Sequence, residues 1–239
     1  KVNNSIIRQS TIMFTDIVGY SKMIEKDENN ALRLLEEHNQ ILKLIIKKYN
    51  GNIIKHIGDS IFAEFNDVLN CINSALNIQL ELKERNNISR THERIIIRIG
   101  IHTGTVHEKE NDLFGNDVNL CSRIESIAPH GGIAASSDLF ESFNSAKIFS
   151  REIGYVNLKN ISKPKLIYKI YINEKDYNSE TKNLLKKYQI ENGTNIVDID
   201  SFNIEKIISV GILILNNVSK EPLNDLSYIQ EIADRAQAE

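Results

Sequence analysis

From Thr11 to Ile17 the chain reads TIMFTDI, an apolar run that closes on a carboxylate and predicts a buried strand. Gly19-Tyr20-Ser21 follows as a turn. Between about Asp27 and Tyr49, the residues Ala31, Leu34, Leu35, His38, Ile41, Leu42, Ile45 and Ile46 recur at helical spacing. They predict a long amphipathic helix closed by Gly51-Asn52. Next come NIIKHI and SIFAEF, two short strands joined tightly through Gly58-Asp59, which makes a hairpin with an acid at its tip. A second helix spans about Asp67 to Arg85 and turns Cys71, Ile72, Ala75, Ile78 and Leu82 inward. RIIIRIGIH reads as a strand, Thr103-Gly104 as a break and TVHEKE as another strand. A shorter helix then starts near Asn116 and stops before Pro129, burying Val118, Cys121, Ile124 and Ile127. SREIGYVNLKNISKPKLIYKIYI is strand, turn around Ser162-Lys163-Pro164, strand.

The order β-α-β-β-α-β with later strands predicts an α+β fold. Its ferredoxin-like core is an antiparallel sheet with helices packed on it and extra C-terminal strands, over residues 1–175. Beyond about Asn173 the composition turns polar, so 176–239 is expected to be a linker with a helical stretch. It would lead to a strand (KIISVGILIL) and a helix (about Leu223 to Ala238), the start of an incomplete βα unit or a dimer-contact element. Composition narrows the class further. With 41% hydrophobic and 26% charged residues the chain is globular, and a net charge of −3 gives no pull on nucleic acid or anionic membranes. Cys71 and Cys121 form no CxxC pair and both sit on apolar helix stripes, so buried free thiols and a reducing, cytoplasmic setting are expected. The apolar run Ile207 to Leu215 is broken by Ser209 and Gly211 and falls well short of the roughly 20 residues of a membrane helix. No stretch reads as a signal peptide. The first residue is Lys1 rather than methionine, and a longer parent is expected.

Two carboxylates stand out by position. Asp16 closes an apolar strand where no structural duty is evident, and Asp59 follows a glycine at a hairpin tip. If the first and second strands lie side by side, both acids meet at one sheet edge. Hard cations such as Mg²⁺ take few protein carboxylates and share their shell with substrate phosphates. Taken alone, Asp59 reads equally as a turn residue. Asn119 and Arg123 are four apart and share a helix face away from the apolar stripe. An amide beside a guanidinium suits a ribose and a phosphate, and a solvated helix face explains the spacing as well. Asn116 and Asp117 read as helix caps. Lys55 precedes Asp59 by four residues on the hairpin. The histidines lack ligand spacing, and no GxxxxGK[ST] or GxGxxG is present, which sets aside P-loop and dinucleotide-binding readings.

Four segments in this order resemble the class III nucleotidyl cyclases: FTDIVGYS (14–21), KHIGDSIFAEF (55–65), IRIGIHTG (97–104) and FGNDVNLCSRIES (114–126). LKNISKPKLIYKI (158–170) extends the match over roughly the first 175 residues. The resemblance implies that Asp16 and Asp59 bind two divalent cations, Mg²⁺ or Mn²⁺, with the Ile17 carbonyl as a further ligand. It places the ribose-orienting residue at Asn119 and the α-phosphate residue at Arg123. The base-selecting pair falls on Lys55 and Asp112, the adenine-type combination, since Lys donates to adenine N1 and Asp accepts from the exocyclic amine. Lys159 falls, by a looser alignment, at the basic residue that binds the triphosphate. The implied activity is conversion of ATP to cyclic AMP and pyrophosphate by a homodimer with sites at the interface. A diguanylate cyclase is disfavoured because the hairpin reads HIGDSIF rather than GGDEF, and a guanylyl cyclase by Lys55 and Asp112. A non-catalytic dimerisation module is disfavoured because all six key positions are filled.

Overall fold

Two aspartates start the two long helices that pad one side of the sheet. The computed structural model describes residues 6–180 and the backbone of 196–197. Asp27 accepts a hydrogen bond from the Asn30 N–H (3.0 Å) at the start of α2 (Glu28–Lys48), and Asp67 accepts from the Asn70 N–H (2.8 Å) at the start of α3 (Val68–Asn87). The inward stripe of α2 is buried at Ala31, Leu34, His38, Leu42 and Ile46, as its periodicity predicts. Preceding α2 are β1 (Ile6–Ile17) and α1 (Tyr20–Lys26). Between the long helices lies the hairpin of β2 (Asn52–Ile57) and β3 (Ser60–Phe65). After α3 come β4 (Ile97–Lys109), β5 (Asp112–Phe114), α4 (Asn116–Ser126), β6 (Ile133–Ser136) and α5 (Phe140–Ser145). The remaining elements are β7 (Ser150–Val156), β8 (Lys165–Ile170), α6 (Glu174–Ser179) and β9 (Ile196–Val197).

The sheet runs in the order β2-β3-β1-β4-β6-β8-β7-β9, with β5 pairing off β4. Its first four strands carry the ferredoxin-like order expected from the sequence. One pairing departs from the antiparallel rule: β4 and β6 run parallel, Ile99 opposite Ile133. They are joined through α4, and only such a crossover lets neighbouring strands point the same way. Helices cover both faces. Met13, Ile61, Ala63, Ile97, Ile99 and Ile101 face α2 and α3, while Ile12, Phe14, Phe62 and Val106 face Val118 and Cys121 of α4. Phe14 and Phe62 stack with centroids 4.4 Å apart.

Three local expectations are corrected. Gly19-Tyr20-Ser21 is no simple turn: Gly19 adopts φ +74° and launches α1, a seven-residue helix without a fully buried residue and hence without a strong stripe. The strand predicted over residues 11–17 begins at Ile6, because all of β1 pairs with β4, from Ile6 opposite Glu108 to Ile17 opposite Ile97. Thr103-Gly104 does not break the following strand. Gly104 is small for another reason: a Cβ there would collide with the Asp117 side chain, which accepts a hydrogen bond from the Thr105 N–H at 2.7 Å. The strand expected over residues 206–215 and the helix over 223–238 lie outside the described residues. Among the described residues no helix is long and apolar enough to cross a membrane, and both cysteines are buried free thiols.

The seat of α4 on β4 is tight. A Cβ at Gly100 would meet the backbone and Cβ of Glu125. A helix backbone cannot swing away as a flexible side chain can, so Gly100→Ala should cost roughly 1–3 kcal/mol or more through overpacking. A drop in melting temperature by calorimetry checks this, and an unchanged one would mean that α4 is free to shift.

Candidate active site

The β2–β3 hairpin brings the two aspartates together. β3 runs antiparallel to β1, with Phe62 opposite Phe14 and Ile61 opposite Thr15, so the hairpin tip arrives beside the C-terminal end of β1. The sequence suggested that β2 would neighbour β1 at a sheet edge. Instead β3 intervenes, and β1 lies inside the sheet between β3 and β4. The acids still meet, because the strand returning from the tip is the one that pairs. Gly58 takes φ +63°, a conformation open to glycine, and turns the chain so that Asp59 Oδ2 accepts the Ile17 N–H at 3.1 Å. Asp16 Oδ1 accepts from the Ser60 hydroxyl at 3.0 Å. Burial, reinforced by the neighbouring charge of Asp16, raises the Asp59 carboxyl above its ordinary value.

Arg98, opposite Asp16 in the β1–β4 ladder, donates through Nη2 to Asp16 Oδ2 at 2.5 Å. Glu125 on α4 lies 3.0 Å from its Nε. Sequence reasoning passed over Arg98, Glu125 and Ser60. A signal was present, since Arg98 interrupts the apolar strand IIIRIGI and Glu125 follows Cys121 by four residues, on the buried side of its helix. Burial pushes the Glu125 carboxyl up to about 7 against the opposing pull of Arg98. Asp117, expected as a cap, is used differently. Gly115 is the N-cap without a side-chain bond, and Asp117 ties α4 to β4 through Thr105 and lies 3.4 Å from His102 Nε2. His102 is buried, and its ring lies 2.7 Å from the Ser136 hydroxyl.

Lys55 and Asp112, 57 residues apart, form an ion pair with Nζ 2.5 Å from Oδ2. Lys55 stands opposite Phe62 on the hairpin, with its ammonium 5.5 Å from the centre of the Phe114 ring. β5 is only three residues long, and pairing Asp112 with Lys109 of β4 is what delivers it. Asn119 and Arg123 sit on one face of α4, with no side-chain hydrogen bond or ion pair among the described residues. Asn119 is exposed and Arg123 partly so. Lys159 is exposed in the turn after β7 and meets none of the other candidates. Within the described residues, then, two pairs are assembled, Asp16 with Asp59 and Lys55 with Asp112, and no hydrogen bond or ion pair joins one to the other.

The aspartate pair fits divalent cations. No cluster of three or more His, Cys, Asp or Glu side chains forms a metal cage among the described residues. A cation at Asp16 and Asp59 would therefore complete its shell with other oxygens, as Mg²⁺ does with phosphates. Mutual repulsion between these carboxylates is what a bound cation relieves.

Residues 2–173 match the profile of the family described as the adenylate and guanylate cyclase catalytic domain. A relative named "Putative adenylate cyclase 3" from Rhizobium meliloti is 31% identical over 159 residues, which cover 66% of this chain and 27% of the relative. The chain thus spans about a quarter of that relative's length. Among solved structures, an adenylate/guanylate cyclase/hydrolase from Silicibacter pomeroyi superposes with a TM-score of 0.66 at 28% identity, over 70% of this chain and 98% of the other. The adenylyl cyclase CyaB from P. aeruginosa gives a TM-score of 0.63 at 23% identity, over 72% and 98%, a likeness of fold.

Proposed function

The chain belongs to the family of adenylate and guanylate cyclase catalytic domains, and from that premise we propose that it converts ATP to 3′,5′-cyclic AMP and pyrophosphate as a homodimer with shared sites. The observation that carries the choice of base is the Lys55–Asp112 ion pair at 2.5 Å. The two readers of a purine edge are assembled in one chain, and each satisfies the other's charge until a nucleotide enters. Adenine offers an acceptor at N1 to Lys55 and a donor at its amine to Asp112. Guanine presents a ring N–H and a carbonyl instead, so both readers would be left facing the wrong partner, a costly arrangement for partly buried polar groups.

In this reading the ribose 3′-oxygen attacks the α-phosphorus in line, its proton leaves, and the bond to the pyrophosphate oxygen breaks. Asn119 orients the ribose, and Arg123 spreads its charge over the α-phosphate oxygens as they gain charge. Lys159 binds the triphosphate. Asp16 and Asp59, with the Ile17 carbonyl, would hold the divalent cations, Mg²⁺ or Mn²⁺. Such ions lower the pKa of the 3′-hydroxyl and balance the phosphate charge. The family resemblance supports a site shared by two copies, with Asp16 and Asp59 from one chain and Lys55, Asp112, Asn119 and Arg123 from the other.

Incubation with ATP or GTP and either metal, followed by chromatography, tests the activity, and cyclic AMP should dominate. The base assignment has a sharper test. Lys55→Glu with Asp112→Cys should shift the ATP:GTP ratio of kcat/KM toward GTP by about tenfold or more, the scale expected when a polar edge is mispaired. An unchanged ratio would mean that these residues do not read the base.

A further inference from the structure

Arg98 does more than fill a gap between strand and helix. Its three nitrogens are spread over three partners: Nη2 on Asp16 Oδ2 at 2.5 Å, Nη1 on the Ser126 carbonyl at 3.2 Å, and Nε beside Glu125 Oε1 at 3.0 Å. The last contact is ionic only, since neither atom makes a properly directed hydrogen bond. The side chains of Arg98, Asp16 and Glu125 are 25%, 22% and 11% exposed, so water screens this cluster weakly. Glu125 is itself fixed, because its backbone packs against Gly100 with no room for a Cβ between them. A guanidinium is charged at every working pH. A permanent positive charge therefore stands against the carboxylate that would take a doubly charged ion.

We infer that Arg98 is a resident counter-cation at the metal seat: held by α4, it orients Asp16 and lowers the affinity of the Asp16–Asp59 pair for divalent cations. The inference rests on the reading that this pair binds metal. A cation arriving at Asp16 meets an oxygen already hydrogen-bonded to Nη2 and a positive charge directly behind it. Glu125 lets Arg98 yield, because a guanidinium released from Asp16 still has a carboxylate and a carbonyl on α4 to hold it. Metal affinity is thus kept low in the protein alone, and occupancy comes to depend on the phosphates that arrive with the substrate.

Mn²⁺ binding to the nucleotide-free protein, followed by the electron paramagnetic resonance of free Mn²⁺ at one mildly alkaline pH, tests this without any turnover. Removing a full charge next to a divalent ion should tighten binding by about tenfold or more in Arg98→Gln. Arg98→Lys, which keeps the charge, should stay within about twofold of wild type. A merely structural Arg98 predicts the opposite sign, because a loosened Asp16 would bind Mn²⁺ more weakly in both variants. Asp16→Asn separates the two levels of the argument. If it leaves Mn²⁺ binding intact, the metal reading falls. If it abolishes binding while Arg98→Gln binds no tighter than wild type, only the role of Arg98 falls. Should Arg98→Gln fail to fold, wild type still answers: Mg²⁺ should move the Arg98 Nε–H resonance saturably, and a resonance that stays put as the site fills overturns the inference.

Discussion

Asp59→Asn is expected to abolish cyclic nucleotide formation without lowering the melting temperature at neutral pH. The loss follows from the proposed role of Asp59: an amide cannot carry the charge that would hold a cation against the phosphates. Losing that electrostatic stabilisation should cost roughly 4 kcal/mol or more in the transition state, about a thousandfold in kcat/KM. The unchanged or higher stability follows from linkage. Burial and the charge of Asp16 raise the folded-state pKa of Asp59, so the folded protein binds this proton more tightly than the unfolded chain does. Stability is therefore lost as pH rises through the window between the two values, and at neutral pH the ionised Asp59 is a net burden on the fold. Asparagine removes that burden and keeps an oxygen for the Ile17 N–H. Activity and calorimetry must be measured on the same sample. Retained turnover would overturn the metal assignment, and a collapse in stability would mean that Asp59 is a structural turn residue after all.

Two dead variants should revive one another. On the proposed reading, Asp16→Ala lacks a metal ligand, and Arg123→Ala lacks the group that meets the α-phosphate. If each site takes its aspartates from one chain and Asn119, Arg123, Lys55 and Asp112 from the other, every site in either homodimer is missing one essential part. In a mixed dimer both lesions fall in one site and the other is whole. Random pairing of equal amounts makes half the dimers mixed, each with one working site of two, so about a quarter of wild-type activity should return for an isologous pair. Co-expression with two tags isolates the mixed species, whose own activity should be about half that of wild type. A purified mixed dimer that stays inactive would rule out the shared site while leaving the reaction open.

What the sequence by itself determined is what local periodicity can carry. The stripes of α2 and α3, the hairpin with Asp59 at its tip and the strand ending at Asp16 follow from spacing, because buried faces must repeat at 3.6 or 2 residues. The family was also legible, since four motifs in order carry the resemblance that the cyclase catalytic-domain match over residues 2–173 bears out. Elements without a buried stripe escaped, and so did β6, buried throughout but only four residues long and too short to show a period. α1 has no fully buried residue, β5 has three residues, and the first half of β1 is largely exposed. Only pairing against β4 makes strands of the last two.

Tertiary structure decided the rest. Gly104 looked like a turn and is a mid-strand residue that leaves room for Asp117. Asp117 looked like a cap and is a tie between helix and strand. The Lys55–Asp112 pair joins residues 57 apart, and the Arg98–Asp16 contact joins residues 82 apart. No local rule foretells such contacts, because their distances are fixed by strand order and register. Placing β3 rather than β2 against β1 set the neighbours of Asp16, and the crossover through α4 brought Glu125 onto Arg98. A charged side chain announces itself in a sequence, but its partner is chosen by the sheet.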